Sequence, residues 1–105
     1  KESFIMHFTV LAYDAKDSEA PARRQATRAE HLAGIERMTT SGQQILGAAL
    51  LDDAGAMCGS LMVFAAENKA QVEAWIAADP YTRENVWGKI EIIGCRIPDF
   101  FLQKK

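Results

Sequence analysis

His31 lies in the run Arg28-Ala29-Glu30-His31-Leu32, and Asp79 opens Asp79-Pro80-Tyr81. An imidazole exchanges its proton near neutral pH. A carboxylate that accepts from one ring nitrogen fixes the tautomer and leaves the other nitrogen as a base. Proton transfer is therefore the chemistry these two residue types could run. Arg28 shares a helical surface row with His31, where a guanidinium can pair a substrate carboxylate. Asp79 leaves a helix end into a rigid Pro-Tyr turn, which suits a carboxylate held at a cleft. Taken singly, His31 is equally a satisfied structural histidine and Asp79 a helix-end residue. Ser60, beside Gly59, reads as a cleft or a strand serine. Tyr81 and Trp87 fit a core or a pocket wall.

The other chemically capable residues form no constellation. His7 falls on a strand and in no motif. Arg23, Arg24 and Arg28 read as a basic helix surface, with attraction of an anionic ligand as the alternative. Asp52-Asp53 is a turn signal, and no histidine or cysteine set accompanies it, so no metal is expected. Gly42, Gly47, Gly55 and Gly59 do not match a phosphate loop, no nucleophile elbow occurs, and no cofactor is implied. Cys58 and Cys95 lie in apolar runs and are expected as buried free thiols. The net charge is −2 with acids and bases interspersed, so the electrostatic footprint of a nucleic-acid binder is missing. No stretch approaches the ~20 apolar residues of a membrane span. Free thiols without an export signal point to the cytoplasm.

These residues must be positioned by a small set of elements. At 105 residues, 49% hydrophobic and 25% charged, the chain suits one globular domain, 1–105. Lys1 to Ile5 read as residues upstream of a native start at Met6. Met6 to Tyr13 alternates as a strand. Pro21 opens a helix that stops near Gly42, with Ala29, Leu32, Ala33, Ile35 and Met38 as its apolar side. Ile45 to Leu51, the Asp52-Asp53-Ala54-Gly55 turn and Gly59 to Ala66 form a hairpin. Asn68 caps a second helix that Asp79-Pro80 ends. Tyr81 to Val86 is a linker or a single helical turn, and Trp87 to Ile97 the last strand. The order is βαββαβ, an α+β ferredoxin-like unit whose two helices cover one face of a four-stranded antiparallel sheet. Strands apolar on both sides leave the other face unpartnered, which predicts a homodimer through the sheet face.

Three segments in this order carry a resemblance to a known family. They are Arg28 to Leu32, Gly47 to Asp52 with Gly55 and Gly59-Ser60, and Asp79-Pro80-Tyr81 followed by Val86-Trp87. Together they resemble the YCII-related (YciI-like) family over about residues 6 to 98. The resemblance implies a dimeric α+β barrel and an active site of one histidine and one aspartate, His31 and Asp79. The family is similar to muconolactone isomerase-type and chloromuconolactone dehalogenase-type enzymes. One departure is Ala48-Ala49, where many members carry Gly-Pro or Gly-Gly. The implied function is a cofactor-independent enzyme moving a proton on a small organic substrate, with an anionic one among the options, and with Arg28, Ser60 and Tyr81 binding it. The alternative is a non-catalytic ligand-binding or regulatory dimer. In either case the first helix and the loop after the second share the covered face. His31 and Asp79 are thus expected within hydrogen-bond reach.

Overall fold

The computed structural model describes residues 5–102, so the upstream reading of Lys1 to Ile5 lies, Ile5 apart, outside the described residues. The chain runs β1 (Met6–Asp14), α1 (Ala20–Thr40), β2 (Gln44–Leu51), β3 (Met57–Ala66), α2 (Lys69–Ala78), α3 (Pro80–Arg83) and β4 (Trp87–Cys95). A single 3₁₀ turn, Asp99–Phe101, follows. The strands form one sheet in the order β2-β3-β1-β4, every neighbour antiparallel. That is the ferredoxin-like arrangement. Among the described residues no helix is long and apolar enough to cross a membrane.

Alternation along β1 sends Phe8, Val10 and Ala12 inward, opposite Phe64, Met62 and Ser60 of β3. Val72, Ile76, Tyr81, Val86 and Trp87 close over them. Each fully buried valine there, such as Val10 or Val72, contributes about 1.5–3 kcal/mol by leaving water. The Asn68 side chain accepts from the Gln71 amide at 2.8 Å and so starts α2. Asp79 ends α2 in extended backbone and caps α3, accepting from the Tyr81 amide at 2.8 Å. The stretch after Pro80 is thus a single helical turn. Asn85, at φ 60°, then reverses the chain into β4 in a conformation that asparagine tolerates. Its carbonyl is held by Arg23, whose guanidinium also grips Asp17 at 2.8 Å.

Several expectations shift. The last strand ends at Cys95 rather than Ile97, and β3 starts two residues before Gly59. Cys58 is half-buried and Cys95 exposed, since Cys95 pairs with His7 on the sheet face that no helix covers. The larger correction concerns α1. Its buried residues are Ala20, Arg24, Thr27 and His31. Leu32 is 41% exposed, Ala29 and Ala33 are exposed, and Ile35 and Met38 are half-buried. The stripe facing the protein is polar because it borders a cleft rather than the apolar core.

Candidate functional site

α1 presents Arg24, Arg28 and His31 at i, i+4 and i+7, one face of the helix, over β2 and β3. Between them opens a cleft of about 230 Å³ lined also by Leu32, Ile35, Ala48, Ala49, Ser60 and Tyr81. Its floor is the hairpin. At Gly47 a Cβ would stand 3.1 Å from the Gln44 side-chain nitrogen, which would have to give way by a few tenths of an ångström. The Ala48-Ala49 departure from the family pattern falls on this floor.

His31, 5% exposed, is held from three sides. Its Nδ1 lies 2.9 Å from Asp79 Oδ1 and 3.1 Å from Oδ2. Its ring stacks on Tyr81 with centroids 3.8 Å apart, and Trp87 meets it edge-on at 5.7 Å. A carboxylate only accepts, so the neutral imidazole carries its hydrogen on Nδ1. Nε2 makes no hydrogen bond among the described residues. The arrangement can therefore supply one basic nitrogen, oriented by a carboxylate. Asp79 in turn is fixed by α3, and an ion pair from Arg83 to Glu30 at 2.7 Å ties α3 to α1 beside His31.

The other expected site residues come together here as well. Arg28 lines the cleft, half-buried, and has no ion-pair partner among the described residues. Ser60 is buried and its Oγ accepts from Arg24 Nη2 at 2.9 Å and from Trp87 Nε1 at 3.2 Å. Tyr81 lends its ring to the wall, but its hydroxyl is enclosed and without a partner. Burial pushes the Tyr81 phenol above its ordinary range, with nearby Arg24 and Arg28 pulling the other way. It therefore stays protonated at neutral pH.

Arg24, which the sequence groups with Arg23 and Arg28 as a basic helix surface or an attractor of an anionic ligand, is a site residue that the sequence does not single out. It is 7% exposed. Asp14, at the end of β1, accepts from Nε at 2.9 Å, and the Gly59 carbonyl from Nη2 at 2.7 Å. Its Cζ stands 4.9 Å from the Tyr81 ring centre. The available signal was spacing, since Arg24 precedes His31 by two helical turns. Among the described residues no group of three or more histidine, cysteine or acidic side chains is placed to hold a metal.

Fold and site together define a ferredoxin-like α+β domain carrying a histidine–aspartate pair at a cleft between its first helix and its hairpin. The chain belongs to the YCII-related domain family, whose profile matches residues 6–96. Two solved structures share the fold. One is 5-chloro-2-hydroxyhydroquinone dehydrochlorinase (TftG) from Burkholderia phenoliruptrix, in complex with 2,5-dihydroxybenzoquinone. It is 21% identical with a TM-score of 0.76, over 90% of this chain and 98% of that one. A NIPSNAP family protein from Agrobacterium tumefaciens is 13% identical with a TM-score of 0.51, over 92% and 96%. No curated protein matches the chain.

Proposed function

We propose that the protein is an enzyme that moves a proton on a small organic anion, with His31 as the base and Asp79 as its orienting partner. The observation that supports this most is the 2.9 Å contact of Nδ1 with Asp79 in a ring that also lines the cleft. A C–H or O–H bond of the substrate breaks, and the proton goes to Nε2. The released electron pair forms a new double bond. Either a leaving group departs with its bonding electrons, or the proton returns at another carbon. The first outcome is elimination and the second isomerisation, and both balance without a cofactor. The dehydrochlorinase of similar fold carries a name of the first kind. Arg28 supplies positive charge for the substrate anion, while Ser60 and the Tyr81 ring shape the wall.

The second copy in this proposal covers the outer sheet face, where Leu11, Leu46, Leu61 and Ile93 alternate away from the helices. Leu46 and Ile93 are each 48% exposed, an apolar surface that a twofold partner would remove from water.

The reaction is tested by hydrogen–deuterium exchange. The protein is incubated in deuterium oxide with small lactones and with 2,5-dihydroxybenzoquinone, and carbon-bound hydrogen is followed by NMR. Exchange that disappears in a folded His31→Gln variant supports the reading. Binding of these compounds with no exchange, at affinities His31→Gln does not change, would favour the ligand-binding alternative.

A further inference from the structure

The proposed reaction does not by itself say what its substrate must carry, but the hydrogen bonds around Arg24 do. The Arg24 guanidinium is pinned on two of its three nitrogens. Nε is engaged by Asp14, and Nη2 by the Gly59 carbonyl and Ser60 Oγ, at 2.7–2.9 Å. Nη1 donates to no group among the described residues, and it is not one of the enclosed, unpartnered atoms.

Ser60 carries a second surplus. A hydroxyl has two lone pairs and one hydrogen. Guanidinium and indole N–H groups can only donate, so Arg24 Nη2 and Trp87 Nε1 occupy both lone pairs of Ser60 Oγ. The hydrogen of Ser60 is left with no acceptor, in a buried residue that lines the cleft. Two oxygens among the described residues are also unpartnered, Asp14 Oδ1 and the Tyr81 hydroxyl, but both are enclosed and out of a ligand's reach, and neither lies within hydrogen-bond distance of Ser60 Oγ. The charges are unequal too. Asp14 offsets Arg24 and Asp79 faces His31, while Arg28 is offset by nothing among the described residues.

A cleft with donors to spare on buried side chains and one uncompensated positive charge suits an occupant that accepts hydrogen bonds and brings negative charge. We propose that Arg24 Nη1 and the Ser60 hydroxyl form a fixed carboxylate site, closed by Arg28, that makes small organic monoacids the substrate class. The pinned guanidinium costs little reorganisation on binding. Arg24 and His31 flank the same Tyr81 ring, at 4.9 and 3.8 Å from its centre. Both line the same cleft, so the bound carboxylate and the carbon that gives up its proton belong to one small molecule. This inference rests on the reading that the cleft holds the substrate of His31, and it fails separately from it.

Benzoate and benzamide are the probes, equal in shape but differing in charge and in the donor that the amide adds. Calorimetric titration of the intact protein should show benzoate binding about tenfold or more above benzamide, the scale of one charge-assisted hydrogen bond. Arg24→Gln made together with Asp14→Asn, so that no buried charge is stranded, should abolish that preference. Ser60→Ala, which keeps the charge pair, should reduce it several-fold. The NMR signals of the Arg24 side chain in the unaltered protein should shift with benzoate and not with benzamide, whether or not the double variant folds. Equal binding of the two probes, no benzoate binding at tens of millimolar, or unmoved Arg24 signals would overturn the proposal. Benzoate preference without His31-dependent exchange would instead remove the proton-transfer reading and leave the carboxylate site standing.

Discussion

Asp79→Asn separates the two tasks of one carboxylate. Oδ1 accepts from the Tyr81 amide at 2.8 Å and from His31 Nδ1 at 2.9 Å, while Oδ2 lies 3.1 Å from the same Nδ1. An amide replacing the carboxylate keeps its oxygen on the Tyr81 N–H, where α3 needs a cap, and so puts its NH₂ in the place of Oδ2. That NH₂ stands 3.1 Å from Nδ1, while the retained oxygen still accepts from Nδ1 at 2.9 Å, so what the variant loses is the carboxylate's charge. The imidazole keeps its hydrogen on Nδ1, and Nε2 becomes a weaker base because no negative charge stabilises the imidazolium it forms. The cap survives, and a charge-assisted bond becomes a neutral one, so the stability loss is about 1 kcal/mol. Asp79→Ala instead loses the cap, about 1 kcal/mol. It also strands the Nδ1 hydrogen of a side chain only 6% exposed, adding about 1–3 kcal/mol. At about 4–8 °C per kcal/mol for a chain of this size, the asparagine variant should melt roughly 5 °C low and the alanine variant roughly 10–25 °C low. Circular dichroism reads the melts, and long-range proton–nitrogen spectra of the histidine ring read the tautomer. An asparagine variant with unchanged exchange activity, or one whose ring hydrogen moves to Nε2, would refute the argument that the charge of Asp79 sets the base.

Light scattering at micromolar concentration should give twice the 11.6 kDa chain mass, and Ile93→Lys with Leu46→Glu should halve it; a wild-type chain at single mass would remove the dimer. Gly59→Ala should cost about 1–3 kcal/mol by overpacking, since its Cβ would stand 2.6 Å from the Ala12 carbonyl. Because the Gly59 carbonyl holds Arg24, ligand affinity should fall with it, and an unperturbed melt would show that the strand yields. The hydrogen bond from Arg23 brings the Asp17 carboxyl down to about 2. A folded-state value below the ordinary one stabilises at higher pH, and that share vanishes as pH falls from about 4 toward 2. Asp17→Asn should therefore flatten that part of an acid-unfolding curve; an unchanged slope there would show that the pair contributes nothing.

The strands were legible because their evidence is local. Met6 to Tyr13 alternates, Asn68 and Asp79-Pro80 bracket α2, and each of these signals acts within a few residues of its effect. Helix α1 was misread on the same logic. Its apolar residues suggested a buried side through Ala29, Leu32 and Ile35, yet Ala20, Arg24, Thr27 and His31 are the ones enclosed. Hydrophobic patterning finds a buried face only where the neighbour is apolar. Over a cleft, a charged side chain can be buried if its partners arrive from elsewhere.

Those partners are distant in sequence. Asp14 reaches Arg24 from the end of β1, Asp79 reaches His31 from the far end of α2, and Ser60 arrives through the register that sets it opposite Ala12. No window along the helix contains them, so the helix alone does not show which partners bury Arg24. What the helix does contain is a polar stripe at 24, 27, 28 and 31, recurring every three or four residues within an alanine-rich segment. Arg23, Gln25, Glu30, Glu36 and Arg37 are polar as well, so that stripe stands out only beside the cleft it borders. Leu32 and Ile35 line the cleft from the same helix, while the core is filled by the sheet, α2 and α3, with Met38 of α1 packed against it.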